Sequence, residues 1–191
     1  DPPEANGIFK SVNGGKSWKR IGYGAIRNAN VCWIDVHPEN PDIVYAATLT
    51  KGVYKTTDGG RSWERVFNND SRSNMVKIHP SNHHSILVAS RGGVYISRNG
   101  GKTWDRYSRG LDPEARMTSA VFDRNNPERI WAADYRTGVY FMDISGDKRW
   151  KEVNTGLYIR SVSYLAVPPN NRFLYAATYG GGIFRMDITK D

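Results

Sequence analysis

Cysteine is almost absent from this chain: of 191 residues only Cys32 carries a thiol. No disulfide can form within the chain, and the redox compartment is left open. Cys32 sits between Val31 and Trp33 in an expected strand, so a buried, inert thiol is expected in preference to a reactive nucleophile. No apolar run is long enough to cross a bilayer as a helix, and apolar residues nowhere recur at helical spacing. Histidine is scarce too. His37 and His79 each precede a proline at matching turns, while His83 and His84 are neighbours on a loop; neither pattern has metal-ligand spacing, and no metal or cofactor is expected. The opening Asp1-Pro2-Pro3-Glu4 has neither an initiator Met nor a signal-peptide profile, and reads as a processed or excised segment.

Acidic residues are the minority charge. Lys+Arg 27 against Asp+Glu 19 gives a net charge of +8, which suits an acidic partner or simply a soluble basic surface. The positive charge is dispersed, since Lys16, Arg61 and Lys102 fall on turns as readily as elsewhere. Nucleic acid is therefore not the expected partner.

What the chain does have is a repeated phrase. Gly7-Ile-Phe-Lys-Ser-Val-Asn-Gly-Gly-Lys-Ser-Trp18 returns from Gly52 to Trp63 and from Gly93 to Trp104; a weaker copy leads from Gly138 to Trp150, and a truncated one starts at Gly182. The intervals between Trp18, Trp63, Trp104 and Trp150 are 45, 41 and 46 residues, the period of a propeller built blade by blade. Between the tryptophans lie two further strand candidates, such as 33–38 with 43–48, rich in β-branched and aromatic residues. Each repeat thus offers four strands, A to D. The fold class expected is all-β, a β-propeller of four-stranded antiparallel blades in one segment, with repeats at about 7–21, 31–67, 75–107, 117–153 and 160–188.

The C–D connection is expected to be a tight hairpin with a chemical logic. In Thr56-Thr57-Asp58-Gly59-Gly60-Arg61-Ser62-Trp63, Asp58 can accept backbone N–H groups of its own turn and the glycines can take positive φ. Trp63 would bury its ring between blades. Asn13 and Asn99 can play the part of Asp58, with Trp18 and Trp104 as the matching tryptophans. At 145–150 the tryptophan remains but the spacing is lost, and a looser hairpin is expected.

These residues resemble the bacterial neuraminidase repeat, or Asp-box, Ser/Thr-x-Asp-x-Gly-x-x-Trp. Thr56-x-Asp58-x-Gly60-x-x-Trp63 meets it in full; Ser11 to Trp18 and Ser97 to Trp104 match with Asn for Asp. Propellers with this box include sialidases, xyloglucan-cleaving glycosidases, the sortilin ectodomain and a photosystem II assembly factor, and in all of them the box is structural. The resemblance leans towards a secreted, periplasmic or cell-surface protein. Counting strands gives seventeen, with C and D alone at the start and A, B and C alone at the end. A four-bladed ring would leave two competing C strands, so additional blades or self-association is expected to complete the object.

In the resembling enzymes ligands bind on the rim made by B–C and D–A connections. Here those are 49–51, 91–92, 135–137 and 179–181, and 22–30, 68–74, 108–116 and 154–161. They carry Tyr23, Arg27, Arg72, Arg91, Arg109, Arg116, Tyr135, Arg136, Tyr158, Arg160 and Tyr179, the residue types most often found as anchors. Arg72, Arg116 and Arg160 stand 44 residues apart, seven before the expected end of strand A, and are expected to face one mouth as a column suited to a carboxylate, sulfate or phosphate. The alternative is a chance alignment on solvated loops. A glycosidase needs two facing carboxylates; the rim candidates are Asp70, Asp112, Glu114 and Asp134. Asp134 faintly matches the corner that holds a catalytic Asp in xyloglucan-cleaving enzymes, with no partner at a matching position, and the Phe-Arg-Ile-Pro motif of sialidases is absent. The expected function is a non-catalytic binding or scaffold module for an acidic peptide or a glycan; the alternative is part of a glycoside hydrolase whose catalytic pair is incomplete here.

Overall fold

The structure is a computed structural model that describes residues 7–68 and 72–189. The chain divides into two compact units, residues 1–76 and 77–191. Among the described residues there are seventeen strands, a single 3-10 turn at Gly24–Ile26, and no α-helix.

The first unit opens with a hairpin of β1 (Phe9–Lys10) and β2 (Lys19–Arg20), followed by the four-stranded antiparallel sheet β3 (Val31–Val36), β4 (Val44–Thr48), β5 (Gly52–Thr56) and β6 (Glu64–Phe67). β7 (Ser73–Ile78) spans the division and heads the sheet completed by β8 (Ile86–Ser90), β9 (Gly93–Ser97) and β10 (Asp105–Tyr107). The second unit adds β11 (Met117–Phe122), β12 (Arg129–Asp134), β13 (Gly138–Asp143) and β14 (Lys151–Glu152), and ends with the three-stranded sheet β15 (Val162–Ala166), β16 (Phe173–Thr178) and β17 (Gly182–Asp187). Every sheet is a meander in chain order, because each connection is short enough only for an antiparallel return.

The core lies in the central strands, as the sequence of β4, β8 and β12 dictates: Val-Tyr-Ala-Ala-Thr, Ile-Leu-Val-Ala-Ser and Arg-Ile-Trp-Ala-Ala-Asp are buried almost throughout. Small alanines at Ala46, Ala47, Ala132 and Ala133 are fully covered and leave room for aromatic neighbours. In the first unit Trp63 is 7% exposed and packs with Ile8, Ile26, Ala46 and Tyr54. Its indole N–H donates to the Ile21 carbonyl at 3.1 Å, so the ring both fills space and satisfies its polar edge. Trp150 repeats the arrangement in the second unit, buried, with its N–H on the Tyr107 carbonyl at 3.1 Å.

The Asp-box turns share one hydrogen-bond pattern. Thr56 Oγ1 donates to Asp58 Oδ1 (2.8 Å) and accepts the Gly60 N–H (3.0 Å), while Asp58 Oδ1 accepts the Ser62 N–H (2.9 Å) and Oδ2 the Ser62 hydroxyl (2.6 Å). The Ser62 hydroxyl above all, with the Ser62 N–H and the Thr56 hydroxyl, holds the Asp58 carboxyl well below the usual carboxylate range. Asn13 and Asn99 accept the N–H groups of Ser17 and Thr103 at 3.0 and 2.9 Å and use their own amide N–H to reach the Ser17 and Thr103 hydroxyls. Gly60, at φ 94°, has no room for a Cβ, which would meet Ile21 Cδ1 at 2.5 Å. The 145–150 turn is built differently: Asp143 Oδ1 takes the Ser145 N–H and hydroxyl, and Lys148 adopts φ 53°.

The turns between first and second strands explain the histidines. His37 Nδ1 accepts the N–H groups of Glu39 and Asn40, His79 Nδ1 those of Ser81 and Asn82, and Asp123 Oδ1 those of Asn125 and Asn126. All three residues cap the same turn. Cys32 departs from the buried thiol expected: the residue is exposed. Strand β3 alternates in burial and Cys32 falls on its open side. Its sulfur is nonetheless tucked against the Ser73 carbonyl at 3.1 Å, and this local burial pushes the thiol up despite the Arg72 charge. It is a protonated donor and not a poised nucleophile.

Candidate rim site of the second unit

The second unit builds a strip from three neighbouring connections. Arg91 and Arg116 face each other in an isolated antiparallel bridge, and the Gly92 N–H donates to the Ala115 carbonyl at 2.8 Å. Arg116 in turn accepts the Tyr135 N–H on its carbonyl at 3.1 Å. The Tyr135 ring meets Tyr179 edge-on, with centroids 5.3 Å apart. Arg91, Arg116, Tyr135 and Tyr179 are therefore contiguous, and both tyrosines are exposed. Arg136 extends the strip, its guanidinium 4.0 Å from Asp112 and 3.3 Å from the Glu114 carbonyl.

Asp134 is the clasp of this corner. It is fully buried at the end of β12. Its Oδ1 accepts the N–H groups of Arg136 (2.7 Å) and Thr137 (2.9 Å) and the Thr137 hydroxyl (2.9 Å), and its Oδ2 accepts the Arg116 N–H (2.5 Å). Tyr140 closes the network by donating its hydroxyl to Thr137 Oγ1 at 2.7 Å. The sequence points to a solvated turn carboxylate with a possible catalytic part; the structure shows a carboxylate spent on backbone donors that would otherwise be orphaned. Asp112 and Glu114 sit on one loop, linked by the Glu114 N–H on Asp112 Oδ1 at 2.7 Å. Glu114 pairs with Arg91 at 3.5 Å. Both carboxylates thus stand on one loop, each beside an arginine. Asp70 lies outside the described residues.

The arginine column is corrected by register. Met117 pairs with Asp134 and Val162 with Thr178, and Asp134 and Thr178 occupy matching places opposite Gly138 and Gly182. Arg116 therefore corresponds to Ser161, which accepts the Tyr179 N–H as Arg116 accepts that of Tyr135. Arg160 stands one residue early, and neighbouring residues of an extended chain point to opposite sides. Its guanidinium reaches Glu152 at 3.4 Å and the Thr137 carbonyl at 3.5 Å. Val167 lies one step short of the position of Asp123, which Pro168 occupies in this sheet. Arg116 makes no ion pair among the described residues. In the first unit, Arg72 precedes β7 and Arg27 ends the 3-10 turn with its N–H on the Gly24 carbonyl at 3.0 Å; both are exposed.

The tyrosine pair was the part sequence reasoning could name but not assemble. Tyr135 and Tyr179 each follow the last residue of a second strand, Asp134 and Thr178; that shared position is the signal that brings them together.

The fold is similar to that of several solved propellers. The GH74 xyloglucanase from Xanthomonas campestris aligns with a TM-score of 0.80 at 14% identity, covering 97% of this chain and 34% of that one. An auxiliary nutrient binding protein from Bacteroides thetaiotaomicron gives 0.65 at 15% identity, covering 83% and 38%. The structure described as YCF48 bound to D1 peptide gives 0.66 at 17% identity, covering 94% and 57%. At such identities the likeness is one of fold, and the sheets are blades of the β-propeller type. The chain spans 24% to 34% of the length of the GH74 structures it matches. No curated protein sequence matches the chain. The model of the family Sortilin-Vps10, described as sortilin, neurotensin receptor 3, matches residues 6–136; this is more than half of the chain, and the protein belongs to that family.

Proposed function

We propose that this chain is a binding module that takes an acidic peptide on the strip Arg91, Arg116, Tyr135, Arg136 and Tyr179. The observation that carries this reading is Arg116, an exposed arginine without an ion pair among the described residues, whose backbone joins Arg91 and Tyr135, the latter in edge contact with the exposed Tyr179. Two further arginines stand in exposed ion pairs, Arg91 with Glu114 at 3.5 Å and Arg136 with Asp112 at 4.0 Å, and Arg136 also donates to the Glu114 carbonyl at 3.3 Å. Such pairs contribute about 0–1 kcal/mol, so a ligand carboxylate can replace Glu114 or Asp112 at little cost. Arginine forks and tyrosine rings together suit a chain of carboxylates with apolar spacing. The similar structure of YCF48 bound to D1 peptide is consistent with a peptide ligand. A carboxylated or sulfated glycan is the second reading, favoured by the tyrosine pair, whose rings can cover a sugar face. A part in glycoside hydrolysis rests on likeness to GH74 folds alone and would need a carboxylate pair supplied from outside the strip.

A fluorescein-labelled hexaglutamate peptide titrated by anisotropy at two salt concentrations tests the proposal. Binding is expected to weaken with salt and to fall about tenfold or more in Arg116→Glu, as expected for a lost charge-assisted contact. Unchanged affinity in Arg116→Glu combined with Tyr135→Ala would overturn it. A sulfated oligosaccharide that displaces the peptide in competition would identify the glycan reading.

A further inference from the structure

Two features at opposite ends of the chain are complementary. The second unit holds an open cavity of about 140 Å³ lined by residues that include Val139, Val153, Leu157, Leu174, Ala176 and Phe184. Each has a counterpart around Trp63 in the first unit: Ile8, Ile21, Ile26, Val44, Ala46 and Tyr54. The equivalences follow from strand register. Ala46 and Ala176 stand two before the ends of β4 and β16, and Tyr54 and Phe184 two after the glycines that open β5 and β17. Ile21 and Val153 come three residues after a tryptophan, and the Ile21 carbonyl receives the Trp63 N–H as the Tyr107 carbonyl receives that of Trp150. The cavity is a tryptophan socket without its tryptophan. Its volume is on the scale of an aromatic side chain, close to the roughly 150 Å³ of an apolar cavity that takes benzene, and it is open on one side.

The same sheet has a second open position. Val53, Val94 and Val139, one residue after the opening glycine of their strands, are buried, whereas Ile183 at that place in β17 is 74% exposed. β17 is the outer strand of a three-stranded sheet, and no fourth strand covers it among the described residues. The chain also carries the missing piece. β2 follows Trp18 on an Asp-box turn with the full hydrogen-bond pattern, yet Trp18 is 64% exposed, unlike Trp63 and Trp150. β2 is held to β1 by two residue pairs, and one of them sets Lys10 opposite Lys19, an unfavourable match. In a docked blade Lys19 would face Arg185, so charge is neutral in the exchange and the buried indole decides it.

We propose that a second copy of this chain supplies its β2 as the fourth strand on β17, seating Trp18 in the cavity and covering Ile183 in the place that Ile8 holds at home. The contact joins two different surfaces, the Trp18 hairpin of one copy and the socket of the next, so it is heterologous and builds closed rings or open chains and not an isologous dimer.

Sedimentation of the full chain over a range of concentrations tests this. Species heavier than the 21.6 kDa of one chain are expected, and Trp18→Ala should weaken association by about 30-fold or more, the loss typical of a buried interface tryptophan. Ile183→Asp should do the same from the other side; both residues are exposed in the single chain, so folding is not at stake. Mixing the two variants, each monomeric alone, should give a species of two chains and no larger, because only one intact knob and one intact socket remain. A wild-type chain that stays monomeric at all concentrations overturns the proposal. So does an assembly whose mass Trp18→Ala leaves unchanged, or a monomer in which Trp18 is shielded from acrylamide quenching, which would seat the hairpin within its own chain.

Discussion

The sheet of β3–β6 and the sheet of β15–β17 are built from nearly the same words, yet one is sealed and the other open. Val44-Tyr45-Ala46-Ala47-Thr48 and Leu174-Tyr175-Ala176-Ala177-Thr178 form matching second strands, and Gly52-Val53-Tyr54 and Gly182-Ile183-Phe184 matching third strands. In the first, Trp63 closes the apolar face and Val53 is buried; in the second, the cavity stays open and Ile183 is exposed. The difference shows that a blade is not finished by its own three inner strands. In the β3–β6 sheet the Trp63 indole completes the packing and bridges to the Ile21 carbonyl of the repeat before it, as Trp150 does to Tyr107, whereas the half-buried Trp104 keeps its N–H on Gly101 of its own turn.

Substitutions separate the sealed sheet from the open one. The largest effect is expected from Trp63→Ala, which leaves a ring-sized void against Ile8, Ala46 and Tyr54 and an unpaired Ile21 carbonyl: about 3–5 kcal/mol lost in urea unfolding. Trp18→Ala measured on the monomer should cost within about 0.5 kcal/mol, since its ring is in solvent. Equal losses at the two sites would erase the distinction between sealed and open blades. Gly60→Ala comes next, at about 1–3 kcal/mol, because φ is positive there and the added methyl group meets Ile21. Gly14→Ala, with nothing within 4 Å of its Cβ, should show only the backbone part of that loss. Thr56→Ala, which removes the acceptor for the Gly60 N–H in a buried turn, should cost about 1–2 kcal/mol by the same measurement. Ser11→Ala in the exposed first turn should cost less.

The smallest expected effect is on pH dependence. Asp58 has its folded-state pKa lowered by the Ser62 hydroxyl first and the Thr56 hydroxyl among the rest. The stability it contributes is therefore fully present above the unfolded carboxylate value of about 3.9 and is lost as pH falls through the lower folded value. Asp58→Asn, which imitates Asn13 and Asn99, should fold and unfold with a shallower decline below about pH 4. An unchanged acid profile would show that the carboxylate is not linked to folding.

Most of the blade was readable because its signals are local. A Thr or Ser two residues before Asp or Asn, with Gly-Gly following, can close only a small set of turns, and the short, mostly apolar run Val44–Thr48 between turn formers fits a strand buried on both faces. Seventeen strands were countable from these cues, and seventeen are present among the described residues. The site was less readable. Asp134 looked like a rim carboxylate, but its burial depends on three backbone N–H groups from two different connections. Arg160 looked aligned with Arg116, but pairing register, which a one-residue slip inverts, puts Ser161 there instead. Cys32 looked buried by its neighbours in sequence, yet in the alternation of β3 the residue falls on the exposed side while its sulfur rests against the Ser73 carbonyl.

The strands, their order and the Asp-box turns are written in the local sequence, since each depends on residues within about ten positions of one another. Which tryptophan is housed, which arginine adjoins the tyrosine pair and which carboxylate is spent on the backbone are settled by long-range packing. Those outcomes depend on groups some 20 to 45 residues apart meeting in three dimensions, and repeats that read alike come to differ by whether a neighbour is there to fill them.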